Sequence, residues 1–282
     1  MKRLLLLALL KMVLVVCLVG CGKAHLTVAS FNVRYDAAAD ATNGDSWAER
    51  KEAVADVILN HDFDIVGTQE ANASQLPELE ALLEGYGCIT HPYGGNNGTG
   101  HNCATFYKHD KLELLDQGTF WYSPTPEVKS IGWDATDYRL CHWGKFREKQ
   151  SGKEFFFFNS HLYWRLHEAR ANSGGVHTQM VSKIAGSEPV ISVGDFNSKE
   201  DTPQVQEILT LLNDARTVSP VVEGCDVTDL GGGNFQGEAK ARIDFIFLSK
   251  DIEVESFRTI EDKRENGHYP SDHLPIVSKI RL

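Results

Sequence analysis

The sequence predicts an α/β protein of the α+β kind, in which two β-sheets pack face to face between outer layers of helices as a four-layer α/β/β/α sandwich. Segments with the pattern of strands outnumber those with the pattern of helices, and the helices fall between strands in two similar halves of the chain. No linker rich in Pro or Ser and no repeat follows His25. We therefore expect a single domain from residue 22 to residue 282.

The hydrophobic pattern places the elements in order along the chain. Residues 26–33 have the pattern of a buried strand, and residues 47–59 are predicted to form a helix because Val54, Val57 and Ile58 share one face. Further strands are predicted at residues 63–68, 104–107, 112–115, 140–146, 154–160, 189–194 and 242–248, with helices at residues 75–83 and 176–184, a Gly- and Asn-rich loop at residues 94–100 and a hairpin turn at residues 149–152.

Residues 1–21 resemble the signal peptide of a bacterial lipoprotein. Lys2 and Arg3 form a positive start, and the apolar run that follows is interrupted only by Lys11 and ends in small residues ahead of Cys21. An uncleaved membrane helix is the alternative, but the run is short for a span and Lys11 would lie near its middle. We therefore expect an exported protein, periplasmic or at the cell surface, that is anchored to the membrane by a lipid on Cys21.

The charge and the cysteines restrict the class of protein. A net charge of -11 and the absence of a basic run beyond the N-terminus argue against tight binding of nucleic acid, because such binding depends on phosphate contacts from Lys and Arg. Four cysteines remain beyond the signal segment, and their spacing excludes a zinc finger but leaves their disulfide state open. These four are Cys88, Cys103, Cys141 and Cys225.

Polar residues stand at the ends of several apolar strands, where strands that share a sheet edge would bring them together. Carboxylate and amide oxygens in such a group are the hard ligands that suit Mg²⁺ or Mn²⁺ better than zinc. The polar residues in question are Asn32, Gln69, Glu70, Asn159, Ser160, His161, Asp195, Asn197, Asp244, Asp272 and His273.

Six short motifs occur in a fixed order from residue 26 to the end of the chain. They are SFNVR (30–34), TQE (68–70), NSHL (159–162), GDFN (194–197), RIDFIF (242–247) and SDHLP (271–275). Together they resemble the endonuclease/exonuclease/phosphatase superfamily, which includes the deoxyribonuclease I-like enzymes, inositol polyphosphate 5-phosphatases and bacterial sphingomyelinases. The string GWDATDYRLCHWGKF (132–146) is similar to a subgroup of exported bacterial members. Each motif alone is weakly specific, but six in order are strongly so.

The resemblance implies a metal site and a source of activated water. Glu70 would be the principal Mg²⁺ ligand, with Asn32 beside it and Asp272 as a further oxygen donor. Asp195 would orient and deprotonate the attacking water, and Asn197 would hold that water or a phosphate oxygen. The short GDFN turn suits phosphoryl transfer, in which positioning contributes most of the catalysis.

The resemblance also implies a set of phosphate-binding residues. His273 would bind the phosphate opposite the metal, while Asp244 would fix the tautomer of His273 and favour its charged form. His161 would be a second imidazole donor, and Arg139 would contact the phosphate as a guanidinium fork. The other nine histidines, among them His101, are assigned to structural positions.

Two departures from the family pattern affect the expected substrate contacts. Many exported relatives carry an Asp after the His-Leu pair, where this chain has Tyr163 and Trp164. Relatives also often carry a Glu after the Gly-rich loop, near the position of Gly100, His101 and Asn102 in this chain. The expected activity is Mg²⁺-dependent hydrolysis, by a monomer, of a phosphomonoester or phosphodiester of a small molecule, a sugar or a lipid head group. An exported nuclease is the first alternative, and a non-catalytic binding module is the second.

Overall fold

The computed structural model describes residues 22–94 and 100–282. The strands are β1 (His25–Asn32), β2 (Ile65–Gln69), β3 (Tyr86–Gly94), β4 (His101–Lys108), β5 (Leu112–Trp121), β6 (Leu140–Glu148), β7 (Glu154–His161), β8 (Val190–Asp195), β9 (Asn213–Asp214), β10 (Val222–Glu223), β11 (Asp244–Leu248), β12 (Glu253–Thr259) and β13 (Ile276–Arg281). The helices are α1 (Trp47–Asn60), α2 (Gln75–Leu82), α3 (His167–Ala185), α4 (Pro203–Leu211) and α5 (Ala215–Val218), with a 3-10 helix at Ala38–Asn43.

The described strands form two sheets, and alternation along the central strands explains how the sheets pack. One sheet has the order β10-β12-β13-β1-β2-β4-β3 and the other has the order β5-β6-β7-β8-β11-β9. Val28 in β1 and Phe157 in β7 belong to one apolar cluster between the sheets. Phe31 packs on the outer face of the first sheet with α1, and Phe158 packs on the outer face of the second sheet with α3 and α4. The predicted four-layer sandwich is therefore confirmed, since each sheet buries one face against its partner and the other against helices.

Strand direction brings the ends of the central strands to one edge of the sandwich. β1 runs parallel to β2, and β7 runs parallel to β8, so each pair ends on the same side. β11 is antiparallel to β8 and places Asp244, its first residue, opposite Asp195, the last residue of β8. β4 and β13 are antiparallel to their neighbours β2 and β1, so they begin at the same edge.

A buried pair of amides, the Gln69–Asn159 clamp, joins the two sheets just beneath this edge. Gln69 Nε2 donates to Asn159 Oδ1 at 2.8 Å, and Asn159 Nδ2 donates to the Thr68 carbonyl at 3.0 Å. The backbone at Gly67 is so close to the other sheet that an added Cβ would lie 2.8 Å from Asn159 Cγ. Both amide side chains are fully buried. The clamp therefore fixes the spacing of the sheets at the residues that precede the polar strand ends.

The structure differs from the sequence prediction in several elements. Helix α3 begins at His167 rather than near residue 176. The sequence prediction began too late because the first half of the helix contains Gly174 and Gly175, which disfavour a helix, and lacks an apolar periodicity. Gly174 allows close packing there, since an added Cβ would lie 2.4 Å from the carbonyl oxygen of Gln204 in α4. Strand β11 begins at Asp244 rather than at residue 242, and β5 extends beyond residue 115. The sequence analysis did not predict β3, β12, α4 or the 3-10 helix.

Some sequence predictions fall outside the described residues. The signal segment at residues 1–21, including Cys21, and residues 95–99 of the predicted loop belong to this group. In the described ranges, no helix has both the length and the apolar character needed to cross a bilayer. The cysteines at positions 88, 103, 141 and 225 are free thiols in the structure.

Candidate active site

Polar residues from both sheets meet at the edge formed by the strand ends. In the first sheet, Asn32 is the last residue of β1 and Glu70 directly follows β2. In the second sheet, His161 is the last residue of β7 and Asp195 is the last residue of β8. Asn32 Nδ2 donates to Glu70 Oε1 at 3.1 Å and to Asp195 Oδ2 at 3.0 Å. One buried amide therefore connects the two halves of the site.

Asp195 lies at the centre of the site. Its Oδ1 accepts the backbone N–H of Asn197 at 2.8 Å, and its Oδ2 lies 3.4 Å from His161 Nε2 and 3.8 Å from His273 Nε2. Burial raises the pKa of Asp195 to about 7, with His273 opposing the rise and the Asp244 carboxylate adding to it. The charged form of this carboxylate is thus costly, and a nearby cation would favour it.

His273 and Asp244 form a buried pair beside Asp195. His273 Nδ1 lies 2.9 Å from Asp244 Oδ2. Burial alone would lower the pKa of His273, but the carboxylates of Asp244 and Asp195 outweigh it and raise the pKa well above its usual value. The imidazole is therefore held in its charged form with Nε2 directed toward Asp195.

His161 has the opposite electrostatic setting. Its Nδ1 lies 2.6 Å from the Tyr93 hydroxyl, and both side chains are buried. Burial lowers the pKa of His161 well below its usual value, and the positive charge of Arg139 lowers it further. The site therefore contains one neutral and one charged imidazole, on either side of the same carboxylate.

The predicted metal ligands are present, with one notable orientation. Burial would raise the pKa of Glu70, but His101 and Arg34 lower it below its usual value, so this carboxylate is ionised. Asp272 is buried, and its Oδ2 accepts the backbone N–H of Gly233 at 2.7 Å. Asn32 Oδ1 accepts the backbone N–H of Arg34 at 3.0 Å, so Asn32 presents its nitrogen to the carboxylates. To serve as a metal ligand, the Asn32 amide would have to rotate.

The donor set fits a hard divalent cation. One ligand atom each from Glu70, His161 and Asp195 lie within 4.8 Å of one another, and Asp195, Asp244 and His273 form a second such group. Several carboxylates converge here, and burial together with the Asp244 carboxylate raises the pKa of Asp195, so a nearby cation would favour the ionised form of Asp195. A divalent cation would supply the missing positive charge, and oxygen-rich ligand sets suit Mg²⁺ or Mn²⁺.

Three residues of the site have left-handed backbone conformations without being glycine. Arg34, Glu70 and Asn197 have φ angles of 57°, 72° and 47°. Such conformations cost about 1 kcal/mol or more for a non-glycine residue and concentrate at functional sites. Each of the three residues lies one or two positions beyond the end of a strand, β2 for Glu70, β1 for Arg34 and β8 for Asn197.

Not every predicted site residue has the contact that the sequence suggested. Asn197 Nδ2 donates to the Leu162 carbonyl at 3.0 Å, so this part of its amide is engaged by the backbone. Arg139 precedes β6, two strands away from Asp195 in the second sheet. Its guanidinium carbon lies 5.4 Å from the ring centre of Tyr93. All nine predicted residues nevertheless reach the same edge of the sandwich, and their individual roles stay predictions.

The structure adds residues that sequence reasoning missed. His101, which was assigned to a structural position, is the first residue of β4, and its ring centre lies 4.6 Å from that of Tyr35. Arg34 lies 3.6 Å from Asp272 Oδ2, and Tyr93 positions His161. The available signal for His101 was its place directly after the Gly-rich loop, where relatives often carry a Glu.

A two-sheet sandwich with this carboxylate and imidazole edge defines a metal-dependent hydrolase. The model of the Endonuclease/Exonuclease/phosphatase family matches residues 29–273, and the chain belongs to that family. Members of the family are hydrolases that act on phosphoester bonds and depend on a divalent metal.

Solved structures and a curated relative agree with this assignment. A family protein from Bacteroides thetaiotaomicron is 32% identical with a TM-score of 0.85, covering 92% of this chain and 98% of that one. A mannosyl-6-phosphatase from the same species is 33% identical with a TM-score of 0.84, covering 90% and 99%. Nocturnin from Drosophila melanogaster is 26% identical over 84% of this chain. The chain spans 42% of the length of that Nocturnin.

Proposed function

We propose that this chain is a Mg²⁺-dependent hydrolase of phosphate esters of small molecules, sugars or lipid head groups, in which water attacks the phosphorus. The observation that carries the proposal is the position of Asp195 between Glu70 and the His273–Asp244 pair. A base for water, a metal-binding carboxylate and a charged phosphate donor are thereby within reach of one phosphate group.

Glu70, Asp272 and Asn32 would hold the ion, and Mn²⁺ would suit the same oxygen donors. When bound, the metal polarises a phosphoryl oxygen and offsets the charge that develops during phosphoryl transfer. Arg34 lies beside Asp272 and would keep that carboxylate in position.

The remaining residues would move the proton and hold the phosphate. Asp195 would accept a proton from water, with its carboxylate fixed by the Asn197 N–H. His273 would donate from Nε2 to a phosphate oxygen, because Asp244 occupies its Nδ1. His161 would be a second, neutral donor.

The choice of substrate class rests on charge and on similarity. The net charge of -11 disfavours a long polyanion, so nucleic acid is the less supported substrate. The similarity to a mannosyl-6-phosphatase supports a sugar phosphate or another small ester. A non-catalytic binding module is not supported, because the complete set of Asp195, His273 and metal-binding carboxylates is retained.

A panel of substrates tests the proposal. We expect the protein to hydrolyse phosphorylated sugars, lipid head groups or inositols with Mg²⁺, and to lose this activity in EDTA. Release of phosphate or of the alcohol would be followed with each substrate, with single-stranded DNA and RNA alongside. Hydrolysis confined to the nucleic acids would replace the proposal with a nuclease, and activity that is unchanged in EDTA would contradict the metal.

A Glu70 variant provides the control for the metal. Glu70→Gln keeps the shape of the side chain and removes its charge, so half-maximal activity should require a higher Mg²⁺ concentration. The exposed Glu80 in α2 offers a matched Glu→Gln change away from the site. A Glu70→Gln variant with the same Mg²⁺ titration as the unmodified protein would rule out Glu70 as a ligand.

Export and lipid anchoring rest on the sequence of residues 1–21 alone. If Cys21 carries lipid, Cys21→Ser should move the protein from the membrane fraction to the soluble fraction of its host. Fractionation followed by immunoblotting measures this, with Cys17→Ser as the matched control. A Cys21→Ser variant that stays in the membrane fraction would favour the anchor helix.

A further inference from the structure

Strand order arranges the site residues in two rows, one for each sheet. In the second sheet, Arg139, His161, Asp195 and Asp244 stand at neighbouring ends of β6, β7, β8 and β11. In the first sheet, the matching row at β4, β2, β1 and β13 is formed by His101, Glu70, Asn32 and His273. Arg139 is therefore at the end of the site opposite His273, about 10 Å from Asp195 if measured as two strand spacings, and His101 has the corresponding position in the other sheet, two strands from Asn32.

Some of the buried nitrogen atoms of these two side chains have no hydrogen-bond partner among the described residues. Only 5% of His101 and 7% of Arg139 is exposed. Within the described ranges, His101 Nε2 and Arg139 Nε and Nη1 are buried without a hydrogen-bond partner. An unsatisfied buried donor is destabilising, and more so when it is charged, so unpaired nitrogens beside the carboxylates and imidazoles of this site are positions where a bound acceptor would be favourable.

Aromatic rings fix the direction of the Arg139 guanidinium. Its central carbon lies 5.4 Å from the ring centre of Tyr93 and 5.8 Å from that of Tyr163. Tyr93 also contacts His101, with ring centres 6.0 Å apart, and its hydroxyl binds His161. The unpaired nitrogens therefore belong to the wall that continues directly from His161.

His101 is close to the proposed metal ligand as well. Its ring packs against that of Tyr35 at an interplanar angle of 33°, and the backbone N–H of Tyr35 donates to Glu70 Oε2 at 3.4 Å. A donor in this position is near a phosphate group held at Glu70 and His161. It would thus contact the reacting phosphate itself rather than a distant part of the substrate.

We propose that His101 and Arg139 bind the terminal oxygen of a phosphomonoester and thereby select monoesters over diesters. A diester has two free phosphoryl oxygens. One can face the metal held by Glu70, and the other can accept a hydrogen bond from His273. A monoester has a third oxygen and a further negative charge, and the unpaired donors at the opposite end of the site match both. This inference rests on the proposed function and names the substrate class of the same site.

The test compares a monoester, a diester and a bisphosphate in three variants. 4-Nitrophenyl phosphate, bis(4-nitrophenyl) phosphate and fructose 1,6-bisphosphate would be assayed with Mg²⁺ on the unmodified protein, Arg139→Met and His101→Gln. We expect kcat/KM for the monoester to fall roughly 100-fold in Arg139→Met, with a change below about threefold for the diester. Arg147→Met is the matched control, because Arg147 is on β6, the strand that directly follows Arg139, and its side chain is 39% exposed.

Each alternative has its own outcome. An equal fall for monoester and diester in both variants indicates a general structural role and overturns the inference. A fall for the bisphosphate alone assigns the pair to a second anionic group and also overturns it. An unmodified protein that hydrolyses none of the three would contradict the proposed function instead.

Thermal unfolding separates these outcomes from misfolding. Among the described residues Arg139 has no ion-pair partner, so removing this buried cation in Arg139→Met should leave the unfolding temperature equal to or above that of the unmodified protein. If Arg139→Met unfolds at a lower temperature, His101→Gln replaces it as the test, because this variant retains the guanidinium. A fall in the ratio of kcat/KM for the monoester to kcat/KM for the diester would then support the inference, and an unchanged ratio would overturn it.

Discussion

Asp195→Asn should reduce kcat for phosphate-ester hydrolysis by roughly 10³- to 10⁴-fold at saturating Mg²⁺, which is the effect expected for loss of a general base. Asparagine keeps the shape of the side chain and an oxygen that can accept the Asn197 N–H, but it cannot take a proton from water. The change also removes the carboxylate that contacts Asn32 and faces both imidazoles. Steady-state rates over a range of Mg²⁺ concentrations would measure the loss.

The control for this variant separates chemistry from folding. Asp201→Asn makes the same change at an exposed position six residues farther along the chain and should leave kcat within about twofold, since surface substitutions of this kind have small effects. Both variants should give the circular dichroism spectrum of the unmodified protein. If Asp195→Asn retained more than a tenth of the activity, Asp195 could not be the base.

The second large effect concerns the His273–Asp244 pair. His273→Gln should lower kcat/KM by roughly 10²- to 10³-fold, because it removes a charged donor to the phosphate. Asp244→Asn should cause a similar loss if Asp244 acts, as we propose, by holding and charging His273 through the 2.9 Å contact at Nδ1. Kinetics of the two single variants and the double variant would measure both effects.

The double variant tests whether Asp244 acts through its partner. If it does, His273→Gln combined with Asp244→Asn should be little worse than His273→Gln alone, because the two changes remove one interaction. Multiplied losses would instead show that Asp244 has an independent role, for example as a metal ligand in the second carboxylate group. The pair of His61, which is partly buried, and Asp262, which is exposed, has side chains 2.7 Å apart and provides a matched cycle away from the site.

The sequence was sufficient to predict the layers and the convergence of the site. A continuous apolar run such as residues 155–158 predicts a strand that is buried on both faces, and a strand of this kind needs a layer packed on each side of its sheet. Strand ends then position polar residues such as Glu70 and Asp195, because neighbouring strands share an edge. These relations are local in sequence, so pattern analysis detects them.

Other features depend on contacts between distant segments, which a single sequence does not display. The amide of Asn32 turns its nitrogen to Asp195 because its oxygen accepts the Arg34 N–H, a detail of side-chain rotation. His101 enters the site only because β4 pairs with β2 in the antiparallel sense. The first half of α3 was not predicted because Gly174 has a low helix propensity. Its role is to let α3 pack closely against α4, which is a contact between distant segments.

The Gln69–Asn159 clamp has a consequence for how such a hydrolase can diversify. The clamp sets the separation of the reacting groups from below, through strands β2 and β7, whereas Arg139, Tyr163 and Trp164 belong to segments that lead into or out of strands. Mutations in those connecting segments can therefore remodel what the cleft accepts while the reactive atoms keep their spacing. Related enzymes can therefore keep the same reaction while they differ in substrate.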